Sequence, residues 1–168
     1  MTTYFFDPIA GNDANSGTSE TRPWKTRTPM IGLGAGPADR FLLRGGRTFP
    51  PEFYFDITGW NAGNKDTAFL IGKYGDGPLP IMDQDMGGHS AIFSTPAVDG
   101  VSADCGAVRI ENIEIKNTTT GFPGIQIKMN GASRADPAAV WIVGCIMRMI
   151  GHDGVAIGEG STGYASSR

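Results

Sequence analysis

Two stretches in the second half of the chain repeat one another. Residues 108 to 117 read VRIENIEIKN, and residues 140 to 149 read VWIVGCIMRM. Laid over each other, they place Val108 on Val140, Ile110 on Ile142, Ile113 on Cys145 and Ile115 on Met147. A second match follows each of them: Gly124-Ile125-Gln126-Ile127 corresponds to Gly154-Val155-Ala156-Ile157. Similarity at a period of this size marks a stacked array, because one unit so short cannot bury its own apolar face. Strand alternation puts Val108, Ile110, Ile113 and Ile115 inside and Arg109, Glu111, Glu114 and Lys116 outside. Both apolar pairs stay inside only if the chain bends at Asn112, and likewise at Gly144. The unit therefore reads strand, bend, strand, turn, strand, connecting loop. The segment NGASRADPAA, at positions 130 to 139, lengthens one connection; without it the unit is little more than three short strands and their corners. Short strands, tight bends and edges covered by neighbours predict a β-solenoid.

Composition agrees. Of 168 residues, 25 are Gly and 11 are Pro, so turns are many and long helices few. An apolar fraction of 40% supports a core and excludes a disordered polar chain. A net charge of −3 argues against a nucleic-acid partner, which calls for a basic patch. The longest apolar stretch, 138 to 147, falls well short of the roughly 20 residues of a membrane span. The opening MTTYFFDP has neither a basic nor an apolar signal-peptide region, which predicts use without export or an upstream segment already removed. Cys105 and Cys145 are too few for a disulfide scaffold and read as buried free thiols.

In the first half, Tyr4-Phe5-Phe6 is a short strand stopped by Asp7-Pro8, and residues 11 to 23 form a loop of side-chain-closed turns. Strand-like runs follow at 41 to 44 and 69 to 74, while 50 to 65 is irregular but carries Phe53, Tyr54, Phe55 and Trp60. The head of the chain resembles the right-handed parallel β-helices of the pectate-lyase-like superfamily. Asp7-Pro8, the loop Gly11-Asn12-Asp13-Ala14-Asn15-Ser16-Gly17-Thr18, and Pro23-Trp24-Lys25-Thr26 carry that resemblance. FLLRGGRTF at 41 to 49 and the Tyr74-to-Ile81 segment extend it over residues 4 to 83. The resemblance implies one all-β domain over 1–168, an N-terminal cap in 1–40 and coils in 41–168, with no evident C-terminal cap. A bare last coil would expose strand edges, so a homo-oligomer (a trimer in tail-spike-type members) or further C-terminal coils would cover it.

Several residues are candidates for chemistry. Asp13 and Asn15, in a D-x-N-x-G loop, have the alternate oxygens that suit calcium, although Trp24 stands where such a loop places its closing Glu. The competing reading is a turn network needing no cofactor. GHDGVAI at 151 to 157 is similar to the acidic stretch of polygalacturonase-type β-helix hydrolases, which would make Asp153, with His152 beside it and Glu159 beyond, an acid–base set. A turn before a strand accounts for the same residues. Arg109, Lys116, Lys128 and Arg148 form an outward basic strip suited to acidic glycans, diluted by Glu111 and Glu114. Trp141, Val143 and Ile146 face outward too and mark a carbohydrate or partner surface.

These residues and the family resemblance predict a β-helix module of a phage virion appendage that binds or processes surface polysaccharide. The alternative is the N-terminal part of a secreted polysaccharide lyase or glycoside hydrolase, and a third reading is a purely structural assembly module. The predicted location follows the reading: virion for the first, secreted or cell surface for the second.

Overall fold

The computed structural model describes residues 1–34, 36–58, 60, 66–85, 88–94, 107–119, 121–129, 140–159 and 163–166. For 128, 129, 158, 159 and 163–166 it describes the backbone path. The chain winds as a parallel β-solenoid of about four turns. One face is built from β1 (Thr3–Phe6), β2 (Arg40–Arg44), β5 (Phe69–Tyr74), β8 (Val108–Glu111) and β11 (Val140–Val143). A second stacks β3 (Thr48–Phe49), β6 (Ile81–Asp83), β9 (Glu114–Lys116) and β12 (Ile146–Arg148). The third stacks β4 (Phe55–Asp56), β7 (Ile92–Phe93), β10 (Ile125–Met129) and β13 (Val155–Glu159), and ends with β14 (Gly163–Ser166). Among the described residues there is no α-helix; Thr28–Met30 makes a single 3-10 turn.

Side chains of like position pile into columns through the interior. Tyr4, Phe41, Ile71, Ile110 and Ile142 form one column on the first face. Phe49, Met82, Ile115 and Met147 form the second, and Phe55, Ile92, Ile125 and Val155 the third. The columns are aromatic near the cap and aliphatic below it. Phe6, Phe41, Phe53 and Phe55 pack edge-on around the top of the core. Each fully buried side chain of this kind stabilises the fold by roughly 1.5–3 kcal/mol.

The repeat read from the sequence is the register of the structure: Val108 pairs with Val140, Ile110 with Ile142, Ile115 with Met147 and Ile125 with Val155. The bends fall at Asn112 and Gly144, at φ +57° and +63°, in the left-handed region that Asn and Gly tolerate best. The irregular stretch from 50 to 65 does contribute a strand, β4, too short to show a period. The last turn is not bare on all three faces. β14 turns back and pairs antiparallel with β13, covering the free edge of the third sheet. On the other two faces β11 and β12 are the final strands among the described residues, and Val140, Ile142, Cys145 and Met147 are only partly buried there.

The cap forms because the loop at 11 to 23 folds over the first strand. Trp24 bridges to Phe6, stacks on Tyr4 with ring centres 5.1 Å apart, and donates its indole N–H to the Asn15 carbonyl at 2.9 Å. Gly17, at φ +70°, lies flat against that indole; a Cβ there would sit 2.4 Å from the ring.

Candidate functional site

Three cations of the outward basic strip have acidic partners, and the Lys128 side chain lies outside the described residues. Arg109 donates to Glu111 at 2.6 Å, Lys116 pairs with Asp83 at 3.1 Å, and Arg148 pairs with Glu114 at 3.1 Å. Asp83 also accepts from the Asn117 side chain at 2.8 Å. Burial pushes the Asp83 carboxyl up, but the hydrogen bonds from Asn117 and Lys116 outweigh it and hold the group below the usual carboxylate range. The strip is thus a row of ion pairs climbing the solenoid. Trp141 is half-buried beside it, with the Arg109 guanidinium 5.7 Å from its ring centre. Val143 and Ile146 are exposed on the same last turn. The loop at 130 to 139, a candidate cover for Trp141, lies outside the described residues.

His152 and Asp153 occupy the corner between β12 and β13. The His152 Nδ1 stands 3.2 Å from the Asp153 carboxylate, with His152 half exposed. The Asp153 carbonyl accepts from the Gly124 N–H of the turn above. Glu159 ends β13, and its side chain lies outside the described residues. Asp13, at the other end of the molecule, accepts from the backbone N–H groups of Lys25 and Thr26 at 2.8 Å and from the Thr26 hydroxyl at 2.6 Å. Burial raises its carboxyl, yet these bonds prevail and keep it below its ordinary value. The Asn15 amide donates to the Pro23 carbonyl at 2.9 Å. Among the described residues no three His, Cys, Asp or Glu side chains cluster closely enough to hold a metal ion. Cys145 is a half-buried free thiol, pushed up by burial, while Cys105 lies outside the described residues.

The structure also brings together a set that sequence spacing does not assemble. The Arg27 guanidinium lies 3.6 Å above the centre of the Tyr54 ring. Tyr54 in turn packs against His89 at 4.0 Å and Phe93 at 5.6 Å. Burial, with the Arg27 charge adding to it, pushes the His89 imidazole below its ordinary value, so the ring is neutral near pH 7. Two cavities share Arg27 in their lining. One, about 330 Å³, is lined by Lys25, Glu52 and Phe53 among others. The other, about 300 Å³, is lined by Asp56, Thr58 and Trp60 among others, and Ile31 borders both. The alternation of FYFD at 53 to 56, with Phe55 buried and Tyr54 and Asp56 turned out, is the signal the sequence offers. Nothing in its spacing connects that signal to Arg27 or His89.

A capped parallel β-solenoid with two small cavities beside its cap is the class of molecule these observations define. No family model matches the chain. Over 77 residues, 45% of this chain, it is 43% identical to a lacto-N-biosidase of Bifidobacterium longum subsp. longum, and spans 5% of that protein. The fold is similar to that of a GH136 lacto-N-biosidase from Eubacterium ramulus. Against the selenomethionine derivative the TM-score is 0.70 at 20% identity, covering 94% of this chain and 29% of that one. Against the native protein it is 0.53 at 19% identity, covering 94% of this chain and 34% of that one.

Proposed function

We propose that this chain is the cap-bearing part of a β-solenoid glycoside hydrolase that acts on oligosaccharides. The observation that carries the reading is the 43% identity over 77 residues with a lacto-N-biosidase. The two structural matches agree with it at the level of fold. They favour the hydrolase alternative over a phage tail spike. Because the chain spans about a third or less of the Eubacterium chains and far less of the Bifidobacterium protein, further parts of a longer protein complete the reaction site on this reading.

Hydrolysis of a glycosidic bond takes two carboxyl groups, one protonated to assist the leaving oxygen. Asp13 and Asp83 are both held in the ionised form, and Glu111 and Glu114 are committed to arginines. We assign the acid–base role within this chain to Asp153. It stands 3.2 Å from the His152 Nδ1 on the last turn, where further residues would meet it. Glu159, at the end of the next strand, is the candidate second carboxyl. The test is disaccharide release from an oligosaccharide by the longest protein that contains this chain. Asp153→Asn is expected to lower kcat at least 100-fold with the melting temperature unchanged. An unchanged rate removes Asp153 from the mechanism, and no hydrolysis by the parent protein removes the hydrolase reading.

A further inference from the structure

We infer that Thr118 is a positioning residue for Asp153, its hydroxyl locking the corner that carries His152 and Asp153 onto the turn above. The inference rests on the hydrolase reading and deepens it by naming what holds Asp153 in place. On the second face the backbone ladder between the third and fourth turns runs as far as the Asn117 N–H, which donates to the Arg148 carbonyl at 3.2 Å. The ladder resumes before the third face, where Gly124 donates to the Asp153 carbonyl at 3.1 Å and Ile125 to the Gly154 carbonyl at 3.0 Å. Between them Met149, at φ +53°, turns the chain out of register. Among the described residues one hydrogen bond joins the two turns across that gap: the Gly151 N–H donates to the Thr118 Oγ1 at 2.9 Å. Thr118 is buried, so losing its hydroxyl leaves that N–H without its acceptor.

Glycines on either side of the His152-Asp153 pair make the contact close. A Cβ at Gly151 would lie 2.4 Å from the Thr119 carbonyl oxygen and 2.7 Å from that of Thr118. A Cβ at Gly154 would lie 3.0 Å from the Met147 sulfur, and one at Gly124 would lie 2.9 Å from the Gly154 carbonyl oxygen. Backbone therefore rests against the turn above at both ends of the pair, while both polar side chains stay accessible, with the His152 Nδ1 3.2 Å from the Asp153 carboxylate. A carboxyl that moves a proton must be held within about 0.5 Å of its productive place. Gly124 and Ile125 fix the far end of the corner, and Thr118 fixes the near end. Without Thr118 the corner is anchored at one end, and Asp153 loses its fixed aim.

The experiment compares Thr118→Val, which keeps the side-chain shape and removes the acceptor, with Thr118→Ser, which keeps the acceptor. In hydrolysis by the longest protein that contains this chain, Thr118→Val is expected to lower kcat about 10–100-fold with KM changed less than about twofold, and Thr118→Ser to retain most of the wild-type rate. In NMR spectra of the chain, the His152 ring resonances should move in Thr118→Val and stay in place in Thr118→Ser. Should the valine variant melt early, amide exchange in the wild type decides. Gly151 is expected to exchange more slowly than His152, whose N–H has no acceptor among the described residues. Equal exchange at the two amides overturns the lock. An unchanged kcat in Thr118→Val, or a loss that serine does not restore, overturns the positioning role, while hydrolysis by the wild-type parent protein leaves the hydrolase reading standing. No hydrolysis by that parent overturns both together.

Discussion

Gly17 and Met149 show what single backbone positions cost in this molecule. Gly17 occupies the left-handed region with the Trp24 indole against its α-carbon. Gly17→Ala adds both strain at positive φ and overlap with a ring that has no room to move. Destabilisation of about 2–4 kcal/mol is expected, measured by urea unfolding. Met149 has φ +53° and is 80% exposed. It follows Arg148 as Asn117 follows Lys116, and Asn117 has φ +59° at that equivalent corner. Met149→Gly therefore relieves strain without losing packing and is expected to stabilise by about 0.5–1 kcal/mol in the same assay. Asp13 ties Lys25 and Thr26 to the cap loop with three hydrogen bonds. Its replacement by Ala is expected to lower the melting temperature equally in calcium and in EDTA. A loss seen only in calcium would instead make the loop a metal site.

The ion pairs on the second face act as one element, and their pH dependence has a definite sign. Asp83 is held below its unfolded value, so its contribution is present in full above about pH 4 and disappears as pH falls through the folded pKa. Lys116→Ala should flatten the acid limb of a stability-against-pH curve below about pH 4 and leave it unchanged near neutrality apart from a constant offset. A variant whose acid limb matches the wild type would show that the pair contributes nothing. Column position sets the cost of core truncation in the same way. Ile115 is fully buried in the third turn, whereas Met147, directly beneath it, is partly open. Ile115→Ala is expected to cost about 2–5 kcal/mol, and Met147→Ala clearly less.

Across the whole molecule, stability runs downhill from the cap. Seven aromatic side chains (Phe6, Trp24, Phe41, Phe49, Phe53, Phe55 and Trp60) are buried at the cap end, and the last turn has a half-open interior. A solenoid of this kind opens from its weaker end, since each turn is held only by its neighbours. Amide exchange should thus be slowest in β2, β5 and β8 and fastest in β11 and β12. Uniform protection would contradict the gradient. The exposed Val143, Ile146 and Met149 lie on this same weak turn. A further turn or a second copy resting there would raise protection in β11 and β12 selectively.

The stacking itself was legible in the order of residues. Alternation at 108 to 117 and its echo at 140 to 149 sufficed to pair Val108 with Val140 and Arg109 with Trp141. Burial of aliphatic side chains at period two has one solution once a neighbour is required, and Asn112 and Gly144 mark where the chain must bend. The strands β4 and β7 are too short for a period, so their outward aromatics could not be assigned to a common face. The salt-bridge partners of the basic strip were also hidden, because Lys116 meets Asp83 from the turn before it, far back along the chain. Arg27 reaches Tyr54, which packs on His89, only because the cap folds over the first turns and brings these segments to one place. Local pattern governs which way a side chain faces; which distant side chains it then faces depends on how the turns are stacked and capped.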